Sequence, residues 1–167
     1  MSEIYTGFFH SPIGIIKIVA NDTHLLTVNI AKKLTKCTKS SKPLQLCLEQ
    51  LDEYFSGKRK QFNLPLEMKG TPFEKQVWVE LSKIPYGKVI SYKDLAQKAG
   101  KPKAFRAVGN ANSKNKFPII LPCHRVIASN GALGGYGLGL DKKEKLLIHE
   151  KVPLTWTINI PKLSKHN

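Results

Sequence analysis

Cysteine is scarce in this 167-residue chain. Cys37, Cys47 and Cys123 form neither a CxxC pair nor an even-numbered framework. A disulfide scaffold is therefore not expected, and the pattern is typical of free thiols in a reducing compartment.

Long apolar runs are also missing. No stretch approaches the roughly 18 residues that a membrane helix needs, and the opening MSEIYTGFFHSPIG lacks the basic region and apolar core of a secretory signal. With 41% hydrophobic and 23% charged residues, the sequence predicts a globular protein away from the membrane. We expect it in the cytoplasm, or in the nucleus if its source has one.

Acidic residues are few, with 12 Asp and Glu against 27 Lys and Arg, a formal net charge of +15. The excess is concentrated in the second half. Residues 93–116 hold seven basic side chains, and Asp94 is the one acidic residue among them. Such a surface either keeps the protein soluble or binds a polyanion, of which nucleic acid is the commonest. Charge alone leaves both open.

The first half predicts a small α/β domain. Three β-like runs, 4–10, 13–19 and 24–30, are separated by turn residues, as in an antiparallel meander. A helix is expected over 43–55, with Gly57 ending it and Cys47 on its apolar face. Residues 58–70 are interpreted as a strand and a linker. We therefore place one domain at 1–70, a second at 71–152 and a tail at 153–167.

The second half predicts helices with defined starts. Residues 71–74 and 91–94 each have the pattern of a capping box, the first with Pro72 at the first helical position. Gly100 ends the second of these helices, and a basic third segment opens near Pro102. A helix, a short glycine-containing turn and a basic helix make up a helix-turn-helix.

The basic helix is unusual for a reader of the major groove. Small residues surround Arg106, whereas major-groove readers carry several long polar side chains. A smooth helix suits the minor groove, where proteins also insert apolar wedges between bases. Phe105 and Arg106 are candidates for that role. Taken alone, Phe105 is better interpreted as a core residue.

The stretch LPCHRVIASNG, residues 121–131, places a thiol beside an imidazole. A nucleophilic cysteine needs a base, and often a third group that orients the base. Cys123 and His124 point apart on a straight strand, so either the chain turns there or a water bridges them. We expect Asp141 to cap the last helix, which places Glu150 beside its apolar face. A half-buried carboxylate needs a partner.

A glycine-rich loop follows, SNGALGGYGLGL, with five glycines between Gly131 and Gly139. The spacing is neither that of a dinucleotide fingerprint nor that of a P-loop. Glycines at this density allow the backbone to approach a flat ligand closely. A floppy hairpin is the alternative.

Together, IPYGKVISYKDLAQKAG, RAVGNANSKN, PIILPCHRVIASNGALGGY and the closing HE resemble the O6-alkylguanine-DNA alkyltransferases. The resemblance is strong over residues 71–152 and weaker in the first half. It implies a ribonuclease-H-like α/β N-terminal domain followed by a mainly helical, winged helix-turn-helix C-terminal domain. It also implies a monomer that binds double-stranded DNA through the minor groove. The implied protein flips O6-methylguanine, and also O4-methylthymine, out of the duplex and moves the alkyl group to its own cysteine once.

Carried over to this chain, the resemblance assigns roles to thirteen residues. Cys123 would accept the alkyl group, His124 would take its proton through a water, and Glu150 would orient His124. Asn115 would be the hinge of the active-site loop, and Tyr92 would contact the flipped base and the phosphate. The DNA-binding residues would be Arg106, the finger that fills the stack, with Ala104, Phe105, Lys103 and Tyr92. The substrate-binding residues would be Val126, Tyr136, Gly137 and Leu138.

Some features depart from the family pattern. Gly137 stands where members often have serine, and Leu138 stands where some have glycine. The zinc ligands of some relatives have no match, so we expect no metal and no cofactor. Two alternatives stay open: a non-catalytic helix-turn-helix regulator and a Cys/His hydrolase, which would turn over.

Overall fold

The computed structural model describes residues 3–153, and it divides the chain into two compact units, Met1–Lys69 and Gly70–Asn167. Except for Pro153, the tail predicted at 153–167 lies outside the described residues. Within them, no helix is long and apolar enough to cross a membrane.

The first unit is an antiparallel sheet with a helix packed on it. Strands β1 (Tyr5–Ser11), β2 (Gly14–Ala20) and β3 (Leu25–Ile30) lie in the order β1-β2-β3, and α1 (Lys42–Phe55) packs against β1 and β2. Ser41 caps α1 through a hydrogen bond from the Leu44 amide, and Cys47 is fully buried. The predicted meander, helix and core cysteine are confirmed.

The strand predicted within residues 58–70 is wrong. The segment makes a single parallel bridge, between Leu25 and Leu66. The Leu25 amide donates to the carbonyl of Pro65, and the Glu67 amide donates to the carbonyl of Leu25. Because Pro65 has no amide hydrogen, the pairing cannot extend toward the N-terminal end of this segment.

The second unit is mainly helical. It contains α2 (Pro72–Ser82), α3 (Tyr92–Lys98), α4 (Phe105–Ser113) and α5 (Leu140–His149), with a short parallel pair of β4 (Ile90–Ser91) and β5 (Val126–Ile127). Both predicted capping boxes are present, at residues 71–74 and 91–94. Helices α2, α3 and α4 pack on one another. The predicted fold class, a sheet-and-helix domain followed by a helical domain, is confirmed.

Two predicted helix starts are wrong. Helix α4 begins at Phe105 rather than near Pro102, because the Ala104 amide donates to the Lys101 carbonyl and closes a separate turn first. Helix α5 is capped by Gly139, with Asp141 already inside the first turn. The φ of Gly139 is 109°, a conformation that favours glycine, and its carbonyl accepts the first helical hydrogen bonds.

Candidate active site and DNA-binding surface

Asn115 fixes the segment that carries the candidate nucleophile. Its Nδ2 donates to the Leu121 carbonyl at 2.8 Å, and its Oδ1 accepts from the Phe117 amide at 2.8 Å. The chain between them is buried, and Ile119 has a φ of 76°, which is costly for a β-branched residue. This side chain thus ties the end of α4 to the turn that follows, at the position where the resemblance places a hinge.

Cys123 opens a 3₁₀ turn, Cys123–Arg125, so the chain does turn between the thiol and the imidazole. Cys123 is 6% exposed. Burial raises the pKa of the Cys123 thiol, while a hydrogen bond from Asn115 and the charge of Lys143 act in the opposite direction. At neutral pH the thiol therefore keeps its proton, and a nucleophilic reaction requires a base.

His124 and Glu150 form a buried pair. Nε2 of His124 lies 2.7 Å from Oε2 of Glu150, and neither side chain is exposed. Because the carboxylate accepts a hydrogen bond from Nε2–H, the second nitrogen, Nδ1, keeps its lone pair, and among residues 3–153 it has no hydrogen-bond partner. Burial lowers the pKa of His124 despite the neighbouring carboxylate. A neutral imidazole with an open Nδ1 is a base.

Arg125 completes this cluster, although the sequence interpretation gave it no role. Its Nε donates to Oε1 of Glu150 at 2.8 Å and its second terminal nitrogen to Oε2 at 2.9 Å. Burial by itself would raise the pKa of Glu150, but the contacts with His124 and Arg125 outweigh it and hold that pKa well below its usual range. The sequence signal that could have revealed Arg125 was Glu150, because a buried carboxylate needs a partner of opposite charge.

Lys143 is the second residue that the sequence interpretation missed. It is fully buried, and its Nζ donates to the carbonyls of Val126, Leu133 and, at 3.0 Å, Gly135. Burial lowers its pKa to about 8. Lys143 thus fastens the glycine-rich loop to β5. Its spacing from Leu146 and Leu147, three and four residues, placed it on the apolar face of α5 and could have revealed it.

The glycine-rich loop lies against Tyr92. A Cβ at Gly134 would come within 2.9 Å of the Tyr92 ring, and the φ of Gly134 is +74°. The Tyr92 hydroxyl hydrogen-bonds Asn112 and, at 3.5 Å, the Gly135 carbonyl. Only glycine permits this approach. The loop is therefore ordered by specific contacts, unlike a floppy hairpin.

Of the residues predicted to bind substrate, Tyr136, Gly137 and Leu138 lie in the same loop, and Val126 lies in β5. The Tyr136 hydroxyl is buried and has no hydrogen-bond partner in the part of the chain that the structure describes. Burial raises its pKa well above the usual value, with the charges of Cys123 and Glu150 adding to the shift. Val126 is fully buried, Gly137 is exposed and Leu138 is half-buried. Tyr136 is thus the member of this set that brings an unsatisfied polar group to the neighbourhood of the thiol.

The start of α4 presents the basic face. Lys103, Phe105 and Arg106 are exposed, Phe105 by 48%, and Ala104 is half-buried as the residue before the helix. The interpretation of Phe105 as a core residue is wrong, since Val108 and Ala111 supply the buried side of this helix. An exposed aromatic beside an exposed arginine leaves both available to a partner.

Residues 3–153 contain no group of three or more His, Cys, Asp or Glu side chains placed to hold a metal ion. Near Cys123 lie the His124–Glu150 pair and the buried cations Arg125 and Lys143. Fold and site together define a helical domain that carries a buried thiol beside a histidine–carboxylate pair.

Comparison with known proteins identifies the family. The model of the 6-O-methylguanine DNA methyltransferase DNA-binding domain matches residues 72–152, and that of the same family's ribonuclease-like domain matches residues 4–68. The chain belongs to this family, and the resemblance found in the sequence is confirmed.

Individual relatives agree. A methylated-DNA–protein-cysteine methyltransferase of Methanosarcina barkeri is 43% identical over 150 residues, covering 86% of this chain and 95% of that protein. The constitutive methylated-DNA–protein-cysteine methyltransferase of Bacillus subtilis is 54% identical over 105 residues, 62% of this chain and 64% of that protein.

Solved structures match over most of the chain. The Mycobacterium tuberculosis O6-methylguanine methyltransferase superposes with a TM-score of 0.80 at 36% identity, covering 89% of this chain and 93% of that chain. The OGT protein of the same bacterium, in complex with DNA, gives a TM-score of 0.78 at 34% identity over 96% of this chain and 98% of that one.

Proposed function

We propose that this protein repairs O6-methylguanine in DNA by moving the methyl group to Cys123. The enzyme class, DNA repair by alkyl transfer to a cysteine, follows from the family to which the chain belongs. The observation that carries the residue assignment is the buried His124–Glu150 pair, whose open Nδ1 belongs to the residue next to the thiol.

The reaction is a displacement at the methyl carbon. His124 takes the proton of the Cys123 thiol, through a water, onto Nδ1, and Glu150 stabilises the imidazolium. The sulfur forms a bond to the methyl carbon while the bond from that carbon to O6 breaks. Guanine leaves with the electron pair and takes up a proton. Water does not displace a thioether, so each molecule acts once and no cofactor is consumed.

The target base has to leave the duplex, because enzymes reach a base atom only after extruding its nucleotide. Arg106 fills the gap in the stack, with Phe105 beside it, and Lys103 and Ala104 face the backbone at the start of α4. The exposure of Lys103, Phe105 and Arg106 supports this role. The helix enters the minor groove, where its small residues allow close approach.

The pocket for the flipped base is formed by Tyr92 and by the loop that Lys143 holds. Tyr92 contacts the base and the phosphate, the backbone at Val126 and Gly137 reads the guanine edge, and Tyr136 and Leu138 line the wall. The unsatisfied Tyr136 hydroxyl supports this placement, because buried polar groups are normally hydrogen-bonded. O4-methylthymine presents a similar methyl ether and is a second substrate.

We propose a monomer that works where its DNA is, in the cytoplasm or in a nucleus. The site residues all come from one chain, and nothing in the mechanism requires a second copy.

The test is to incubate the protein with a duplex that carries isotope-labelled O6-methylguanine and to weigh the protein afterwards. One methyl group on the Cys123 peptide supports transfer. No change in mass together with DNA binding indicates a regulator, and continued turnover without a stable adduct indicates a hydrolase. Cys123→Ser is the matched control: we expect DNA binding without any transfer.

A further inference from the structure

The carboxylate of Glu150 is shared between two side chains that donate hydrogen bonds to it. His124 Nε2 lies 2.7 Å from Oε2, while Arg125 reaches both oxygens at 2.8 and 2.9 Å. The backbone amide of Gly87 adds a fourth donor to Oε1 at 3.3 Å. Four donors on one buried carboxylate favour its ionised form.

Arg125 is itself held from the segment between α2 and β4. Its remaining terminal nitrogen donates to the Ile84 carbonyl at 2.7 Å, and the guanidinium lies 5.8 Å from the centre of the Tyr86 ring. Together with the Gly87 amide, the Ile84–Gly87 segment therefore fixes both members of the Arg125–Glu150 pair. A planar guanidinium held on three sides has one orientation.

This arrangement decides which protonation state of His124 is stable. A buried carboxylate in contact with an imidazole alone favours the imidazolium, which has no lone pair left to accept a proton. Arg125 already neutralises that carboxylate. With Arg125 present, the three side chains carry no net charge when His124 is neutral, and one positive charge when it is protonated.

We propose that Arg125, held by the Ile84–Gly87 segment, is a positioning residue that keeps Glu150 ionised and His124 neutral, with its proton on Nε2 and Nδ1 open to the thiol proton. The proposal rests on the proposed function insofar as it makes His124 the base for Cys123.

The other groups near His124 act in the same direction. Within the described residues, the charges that act on it are those of Glu150, Arg125 and Lys143, and burial adds to the effect of the two cations in lowering its pKa. Tyr136 and Cys123 face the same cluster as neutral groups, since burial raises the pKa of each. Glu150 is thus the negative charge that acts on His124, and Arg125 is its counter-ion.

The direct test is nitrogen NMR of His124 in the wild-type protein, titrated with pH. We expect a neutral ring protonated on Nε2 at neutral pH. A His124 that is already an imidazolium at neutral pH, or a neutral ring protonated on Nδ1, overturns the proposal. This measurement involves no methyl transfer, so it stands even if the proposed function fails.

Two variants then separate charge from geometry. In Arg125→Gln the unshared carboxylate should raise the pKa of His124, and the acid limb of the methyl-transfer rate should move up by about one pH unit or more. Arg125→Lys keeps the charge without the planar fork, so its limb should stay near that of the wild type while its rate falls. Arg59→Gln, which removes a partly exposed arginine–glutamate pair in the first unit, is the control and should move nothing.

Each remaining outcome decides the question. The proposal is contradicted if the acid limb of the methyl-transfer rate does not move in Arg125→Gln, or if it moves equally in both Arg125 variants. If Arg125→Gln folds but transfers no methyl group, the NMR titration of that variant decides, and an unchanged pKa of His124 contradicts the proposal. If it does not fold, Arg125→Lys is titrated instead, and a His124 that becomes an imidazolium at neutral pH in this variant contradicts the proposal. If the wild type itself transfers no methyl group, the proposed function is wrong, whereas the NMR comparison of wild type and variant still tests Arg125.

Discussion

Nε2 of His124 and Oε2 of Glu150 lie 2.7 Å apart although 26 positions separate them in the sequence. The contact joins the 3₁₀ turn that begins at Cys123 to the residue that follows α5. Both side chains are buried, so solvent cannot take the place of either partner in this hydrogen bond. The pair therefore holds the turn in place and also orients the base.

Replacing the Glu150 carboxylate should lower the stability of the second unit. Glu150→Gln leaves the buried guanidinium of Arg125 without its counter-charge, and breaking a buried ion pair from one side typically costs about 3–5 kcal/mol. Urea denaturation should show this loss. Glu144→Gln on the same helix is the control and should change stability by about 0.5 kcal/mol or less. Equal losses in the two variants would mean that the buried pair contributes little.

Lys143 should affect both the loop and the thiol. Lys143→Met fills a similar volume but removes the ammonium donor from the carbonyls of Val126, Leu133 and Gly135. The Gly135 carbonyl keeps its contact with the Tyr92 hydroxyl, and each buried group left unsatisfied costs about 1–3 kcal/mol. It also removes the cation that lowers the pKa of Cys123. The alkylation of Cys123 by iodoacetamide is measured on the Cys123 peptide as a function of pH. Its pH profile should shift to higher pH.

The exposed Lys145 on the same helix supplies the matched control. Lys145→Met should leave both the unfolding free energy and the alkylation profile unchanged. An unshifted alkylation profile in Lys143→Met would show that the ammonium does not act on the thiol.

Arg106 should matter for duplex DNA and hardly at all for a free base. Arg106→Ala removes the side chain proposed to fill the stack. Repair in duplex should slow by about tenfold for every 1.36 kcal/mol of lost stabilisation of the flipped state. Reaction with free O6-methylguanine provides the internal control, because no flipping is needed. Equal losses on both substrates would exclude a role in holding the base outside the helix.

Leu138 should limit the size of the alkyl group. If its side chain projects toward the O6 substituent, a benzyl group has to displace it, and overpacking typically costs about 1–3 kcal/mol. The benzyl reaction would then be slower by roughly 5- to 150-fold. Leu138→Gly should accelerate the reaction with free O6-benzylguanine and leave methyl transfer nearly unchanged. An equal change in both rates would show that Leu138 does not line this part of the pocket.

Local sequence signals predicted local structure well. The capping boxes at 71–74 and 91–94 depend on residues three positions apart, and both form. The start of α5 was misplaced because Gly139 caps it through its backbone alone, whereas Asp141 has the side chain that usually marks a cap. A backbone cap leaves little trace in the residue types.

The sequence predicted only part of the site, because some of its contacts join residues that are far apart in the chain. The resemblance named Cys123, His124 and Glu150, and the structure brings His124 and Glu150 together. It gave no role to Arg125, whose partners at Ile84 and Glu150 are 41 and 25 positions away. Contacts at such separations depend on the packing of whole elements, which periodicity does not encode. Lys143 could have been predicted, because its spacing from Leu146 and Leu147 places it on the apolar face of α5.

The central claim, stoichiometric transfer to Cys123, is tested most directly by a titration. A fixed amount of protein is mixed with increasing amounts of duplex containing O6-methylguanine, and the lesions repaired are counted once the reaction has stopped. The account predicts a sharp break at one methyl group per protein molecule, with the whole label on the Cys123 peptide and no repair by Cys123→Ser. Repair that continues past one equivalent, or label on any other residue, would contradict it.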